Sequence, residues 1–387
     1  MDDYIYLDNS ATTPVSEEVM EAMLPYWRAE YGNASSLHSF GRRAHSAMEE
    51  SRARLAASLG ASESEIIFTA GASEANNLAI KGLAFSGIDK RHIITSQIEH
   101  PAVFKVCQWL EKQGFTVTYL PVDQEGMVDP DELAATITDD TLLVTIMYGN
   151  NEIGTVQPIS QIAKICRAQG VIFHTDAVQA YGKIPLSVAD VDMLSASAHK
   201  LHGPRGVGML YLRKGIKLSP LIHGGGHERG RRSGTENIAG IVGFAKAVEI
   251  AFAEMEVLRK RLEGFRERLI ETITAIQKTR LNGQRSGSLP HITNISFMAI
   301  EGESLVMKLD EHNIATSTGS ACSSPTLEPS HVLLAIGIPI AMAHGSLRIS
   351  TGRQTTAAEI ERFLAVLPQV VEELREISPF KINTKIR

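Results

Sequence analysis

The run Met193-Leu194-Ser195-Ala196-Ser197-Ala198-His199-Lys200-Leu201-His202-Gly203-Pro204-Arg205-Gly206 decides how this 387-residue chain is read. Its first residues have the apolar and small character of a short buried strand, and it closes on a Gly/Pro turn. Lys200 follows the strand directly, between two histidines. A lysine so placed is either a solvated surface residue or, with a depressed pKa, a Schiff-base former. Moving outward, strand patterns recur at 66–69, 92–96, 116–120, 142–147, 172–175 and 208–212. Helical patterns at 75–83, 102–112, 130–136 and 159–168 fall between most of them. Alternation of this kind predicts an α/β layer architecture with a mainly parallel sheet. Ligands of such sheets bind beyond the carboxyl ends of the strands, which is where Lys200 falls.

Composition narrows the function classes. Hydrophobic residues make up 43% and charged residues 21%, so the chain is globular, not disordered. Lys and Arg total 38 against 44 Asp and Glu, a net charge of −6 that argues against a general nucleic-acid binder. The longest near-apolar run, 332–343, is too short to span a membrane and contains Gly337 and Pro339. The opening Met1-Asp2-Asp3 has no basic or apolar leader character, and the expectation is a cytoplasmic protein. From 240 to 276 the chain turns into one or two long helices rich in Glu, Lys, Arg, Ala and Leu, read as the bridge to a smaller second domain. A strand at 292–297, a helix at 303–312, a strand at 345–350 and a closing helix at 356–377 follow. No Walker A or G-x-G-x-x-G pattern is present, which argues against NTPases and Rossmann oxidoreductases.

Other runs place chemistry at strand ends. Thr69-Ala70-Gly71-Ala72-Ser73-Glu74 carries a strand through a small-residue turn into a helix, whose free amides favour a phosphate; a plain capped helix would look the same. Asp176, in His174-Thr175-Asp176, is a carboxylate aimed into the crevice, and burial there needs a cation or several donors. A protonated pyridine nitrogen is one such partner, as in pyridoxal phosphate (PLP) enzymes; a helix N-cap is the alternative. His100 stands after a strand in Glu99-His100-Pro101, able to stack on a ring or move a proton. Arg353, in Arg348-Ile349-Ser350-Thr351-Gly352-Arg353, suits capture of a substrate carboxylate or a surface ion pair. The loop from His223 to Thr235 holds glycines and three arginines, which suit an anion, a neighbouring subunit or plain solvent. Its His223 and His227 are separated by glycines, and no metal site is expected. Of three cysteines, Cys107 and Cys166 sit on apolar helical faces and read as buried hydrophobes. Cys322 lies in a Ser/Thr/Gly run and reads as an exposed, reactive thiol.

With Tyr6-Leu7-Asp8-Asn9-Ser10-Ala11-Thr12-Thr13-Pro14, Gly32-Asn33-Ala34-Ser35-Ser36-Leu37-His38, Asn150-Asn151-Glu152-Ile153-Gly154-Thr155-Val156-Gln157-Pro158, Arg232-Ser233-Gly234-Thr235 and Gly319-Ser320-Ala321-Cys322-Ser323-Ser324, the chain resembles the NifS/IscS-like cysteine desulfurases of the class V aminotransferase group over essentially its whole length. The resemblance implies the type I PLP-enzyme fold, like aspartate aminotransferase: a large domain (16–255) with a mostly parallel seven-stranded sheet, and a smaller α+β domain (1–15 and 256–387). It implies conversion of L-cysteine to L-alanine, with sulfur leaving as a persulfide on Cys322. Lys200 would form the Schiff base with PLP and abstract the Cα proton. Asp176 would pair with the pyridinium nitrogen, and His100 would stack on the ring and assist proton transfer. Gln179 and Asn151 would contact the ring oxygen or substrate. Ala72, Ser73, Ser197 and His199 would hold the phosphate, with Thr235 added from the other subunit of a homodimer, and Arg353 would bind the substrate carboxylate. Implied partners are L-cysteine and a sulfur acceptor such as an iron–sulfur scaffold, with neither membrane nor direct nucleic-acid contact. Ser73 (for threonine), Ala34 (for proline) and Arg205 (for lysine) depart from the usual pattern.

Overall fold

The computed structural model describes residues 4–319 and 329–379. Seven strands form one sheet in the order Ile66–Thr69, Gly208–Leu212, Met193–Ser197, Ile172–Asp176, Thr141–Thr145, His92–Ser96 and Thr116–Leu120. Only Gly208–Leu212 runs against the rest, pairing antiparallel with both neighbours. Six strands therefore point their carboxyl ends to one edge. Helices cover both faces, so the six strands other than Thr116–Leu120 are buried along every residue or all but one. That explains their near-continuous apolar runs. Thr116–Leu120, at the sheet margin, is buried only at Leu120 and alternates polar with apolar residues.

The helix Ile238–Thr274 is a single 37-residue element. Its Phe244, Ala247 and Val248 pack into the core of the seven-stranded sheet. Its Leu269 and Ile273 pack into a separate core with Ile295, Leu347, Ile349 and Phe363. That second core lies on a three-stranded antiparallel sheet of Thr279–Asn282, Ile292–Phe297 and Ser346–Ser350. The amino-terminal strand Ile5–Tyr6 pairs parallel with Ile314–Ala315 in a separate two-stranded sheet, and Ile5 and Ile314 enter the same core. The closing helix Ala357–Ile377 starts at a reciprocal Thr356/Glu359 cap, the Thr-x-x-Glu signature legible in the sequence.

One buried ion pair braces the strand that feeds the site. Arg52 and Glu228 meet at 2.8 Å with both side chains 3% exposed. Arg52 also donates to the Ile66 carbonyl, and Glu228 accepts from the Phe68 amide. The strand Ile66–Thr69 is thereby tied to the glycine/arginine loop. The loop's other arginines are likewise engaged: Arg232 with Glu74, and Arg231 on the Ser64 carbonyl.

Candidate active site

A cavity of about 770 Å³ opens at the carboxyl edge of the large sheet. Ala72 and Ser73 enter it from the first turn of the helix Ala72–Ala84, which begins earlier than the 75–83 pattern suggests because Gly71 is its N-cap. Gly71 has φ +154, and a Cβ built there would meet open space. Backbone conformation, and not crowding, is what calls for glycine. The first amides of that helix have no partner within it and face the cavity with Ser197, His199 and Arg205. This is the donor set of an oxyanion site, assembled from two strand ends and a helix start.

Asp176 ends its strand 6% exposed. Its Oδ2 accepts from Asn76 Nδ2 at 2.6 Å and its Oδ1 from the Val178 amide at 3.0 Å. Both donors are neutral, so its negative charge is available to a cationic ring atom in the cavity. Lys200 Nζ lies on the Ser10 and Ala11 carbonyls at 2.5 and 2.7 Å. His100 caps the helix Pro101–Glu111 by accepting from the Ala102 amide at Nδ1. A neutral ring so engaged carries its proton on Nε2. Burial pushes its pKa down, with Asp176 opposing and Lys200 adding to the fall. Burial, then Lys200, likewise lowers His199 to about 4. His199 is hydrogen-bonded to Thr12 at 3.1 Å.

Gln179 and Asn151 also line the cavity. Arg353 does not. Its guanidinium is divided between Glu254 (2.8 Å) and Glu18 (3.1 Å), which raise its pKa and leave no fork for a substrate. It borders a separate small void behind Lys200. Arg348 reaches the cavity instead. It sits on the strand Ser346–Ser350 between Leu347 and Ile349, which enter the apolar core, so strand alternation turns Arg348 to the opposite face. It is 3% exposed, donates to Asp8 at 2.8 Å and to the Asn151 carbonyl at 3.0 Å, and its buried Nε has no partner among the described residues. The period-2 pattern Leu347, Ile349 was the signal in the sequence that could have selected Arg348 over Arg353.

Thr235 is exposed and does not line its own chain's cavity. Cys322 falls outside the described residues. Cys107 and Cys166 are fully buried in apolar clusters, and burial raises both thiols, Cys166 to about 12. Among the described residues no group of three or more His, Cys, Asp or Glu could hold a metal ion, and no helix is long and apolar enough to cross a membrane. Sequence reasoning missed Asn76, which orients Asp176, and the Ser10 and Ala11 carbonyls on Lys200.

A helix amino-terminus suited to an anion, a buried carboxylate and a lysine amine thus line one cavity. The aminotransferase class-V family matches residues 5–363, and the chain belongs to that family. It is similar to cysteine desulfurases within it. The cysteine desulfurase IscS of Methanosarcina thermophila is 53% identical over 97% of this chain and 94% of its own length. That of Dictyoglomus turgidum is 52% identical over 99% and 98%. A solved NifS-like protein superposes with a TM-score of 0.90 at 41% identity, covering 97% of this chain and all of that one. SspA, solved in complex with cysteine, has a TM-score of 0.80 at 40% identity over 89% and 98%.

Proposed function

We infer that this protein is a PLP-dependent cysteine desulfurase that converts L-cysteine to L-alanine and carries the sulfur away as a persulfide on Cys322. The observation that carries the reading is the convergence of Lys200, Asp176 and Arg348 on one cavity in a chain half identical to cysteine desulfurases. PLP, when bound, supplies an aldehyde for amine capture and a ring that accepts electrons from the substrate's Cα. The amides of Ala72 and Ser73, with Ser197 and His199, hold its phosphate. Asp176 holds a proton on the ring nitrogen, and Asn76 keeps that carboxylate aimed. Gln179 and Asn151 orient the ring oxygen and substrate, and His100 covers the ring and passes protons at Nε2.

Arg348 takes the substrate carboxylate, in place of Arg353, since Arg348 lines the cavity while Arg353 lies outside it and is consumed by two carboxylates. Lys200 takes the Cα proton on Nζ. The Cys322 thiolate attacks the substrate sulfur. The S–S bond forms as the C–S bond breaks, its electron pair goes to Cβ, Cβ gains a proton to become the alanine methyl, and Lys200 Nζ returns a proton to Cα. Thr235, exposed on its own chain, serves the phosphate of a second copy in a homodimer. Exposed Trp27, Tyr31 and Leu37 suit the same assembly. Sulfur then passes to an acceptor protein of the cytoplasm, an iron–sulfur scaffold among the candidates.

The test is alanine and sulfide formation from L-cysteine by purified protein with PLP and a thiol reductant, in matched amounts. Cys322→Ser is expected to stop sulfide release while keeping the bound cofactor's visible absorption. Transfer of the amino group to a keto acid without sulfide would overturn the reading.

A further inference from the structure

We propose that Lys183, held against His291, is a positioning residue that dictates which end of the Gln179 amide faces the active cavity. The proposal rests on the reading of that cavity as a cofactor site. Lys183 lies one turn beyond Gln179, outside the cavity lining. Its Nζ meets Gln179 Oε1 at 3.3 Å and His291 Nε2 at 3.1 Å, and the latter two atoms are themselves 3.1 Å apart. An ammonium has three donors and no acceptor. It accepts Oε1 as a neighbour and repels the amide N–H₂. Gln179 Nε2 must therefore face the other way, where it donates to the Ser10 carbonyl at 3.0 Å. The same carbonyl takes Lys200 Nζ. A continuous hydrogen-bonded line thus runs from His291 and Lys183 through Gln179 and Ser10 to Lys200, and its Gln179 end presents a donor to the cavity.

His291 alone cannot impose that choice. It is 2% exposed and neutral, since burial and then Lys183 drive its pKa well down. Its Nε2 donates in one tautomer and accepts in the other, so it serves either end of an amide. The charge on Lys183 breaks the tie. With the charge present, Lys183 donates to Nε2 and the imidazole proton moves to Nδ1, which has no protein partner among the described residues. Among the described residues no carboxylate contacts Lys183; the groups around it are His291, Lys200, His202, Glu254 and Arg353, which share the small void beside it. Burial, and then Lys200, bring Lys183 down to about 7. The orienting charge is complete below that pH and fades above it.

The experiment uses the full-length apoprotein and three readouts. The first is equilibrium binding of PLP at pH 6 and pH 8.5. Lys183→Met is expected to weaken binding roughly tenfold at pH 6, the loss of one charge-assisted orienting bond. Lys183→Arg, charged at both pH values, is expected to bind at least as well as wild type at pH 8.5. The second is a double-mutant cycle. If Lys183 acts through Gln179, then Lys183→Met adds nothing to Gln179→Leu; full additivity would overturn the proposal, as would unchanged binding by Lys183→Met. The third needs no cofactor: competitive amine labelling read by mass spectrometry should titrate Lys183 near pH 7, and Gln179→Leu should lower that value by removing its acceptor. An unmoved value would overturn the proposal even if Lys183→Met fails to fold. Wild-type apoprotein that binds no PLP would instead overturn the functional reading, and the labelling result would still decide the orientation.

Discussion

Two hollows lie on either side of Lys200, and among the described residues it is the one side chain they share. The front cavity is about 770 Å³ and the rear void about 40 Å³. In front, polar groups keep capacity in reserve: helix amides without helical partners, Asp176 on neutral donors, Arg348 with a buried Nε unengaged. Behind, the strong cation is already answered and burial lowers the weaker ones. Arg353 is shared by Glu18 and Glu254, and burial lowers His202 to about 4 and Lys183 to about 7. The front side thus keeps charged groups open to a ligand, while behind it the guanidinium of Arg353 is already paired.

Substitutions can break or sharpen that contrast. Lys200→Ala should give the largest effect: alanine formation falls to background and the bound cofactor's visible absorption disappears. Persistence of both would remove Lys200 from the chemistry of the front side. Arg348→Ala should raise the KM for cysteine roughly a hundredfold, with a smaller change in kcat, and Arg348→Lys should recover only part of the loss. An unchanged KM would remove Arg348 from the front side.

The third test concerns the front wall. Glu99 is fully buried beside His100. Its Oε1 accepts from Ser96 Oγ at 2.6 Å and the Met147 amide at 2.9 Å, while Oε2 has no partner among the described residues. Burial raises its pKa from 4.5 to about 8. An acid raised in the folded state keeps its proton there after the unfolded chain has lost its own. Its stabilising contribution is full below pH 4.5 and is lost as pH rises to about 8. Glu99→Gln, neutral throughout, should flatten that decline and exceed wild type by an amount on the order of 1–3 kcal/mol in urea unfolding at pH 9. A parallel decline in the variant would show Glu99 already ionised in the fold. The smallest effect is expected from Arg353→Ala, with KM within about twofold of wild type, as for other partly exposed ion pairs. A large KM increase would dissolve the distinction between the two sides.

Much of this organisation was legible in the chain itself. Strands at 66–69, 92–96, 116–120, 193–197 and 208–212 were read at the bounds they adopt. Short apolar runs between Gly-rich turns leave few alternatives once both faces of a sheet are covered. The carboxyl ends of the strands at 66–69, 92–96 and 193–197, with that of the strand read at 172–175 and observed to 176, bring Ser73, His100, Lys200 and Asp176 to one sheet edge, and all of them line one cavity. The reversal of Gly208–Leu212 was not legible, because a buried strand has the same composition in either direction.

The sequence by itself determined the strand–helix alternation, the lysine and aspartate at strand ends, and kinship with cysteine desulfurases, because periodicity and local motifs need no knowledge of neighbours distant in the chain. Tertiary structure settled what the Leu347/Ile349 alternation only suggested, that Arg348 and not Arg353 reaches the cavity. They stand five residues apart with the same chemistry. One is turned to the cavity by alternation along a strand whose other face is core, and the other is claimed by Glu18 and Glu254, some 335 and 99 residues away. Pairing over such distances sets which charges are spent and which remain for a ligand. That is also why Lys183, unremarkable in its Gly-Lys-Ile context, became visible only when His291 was seen against it.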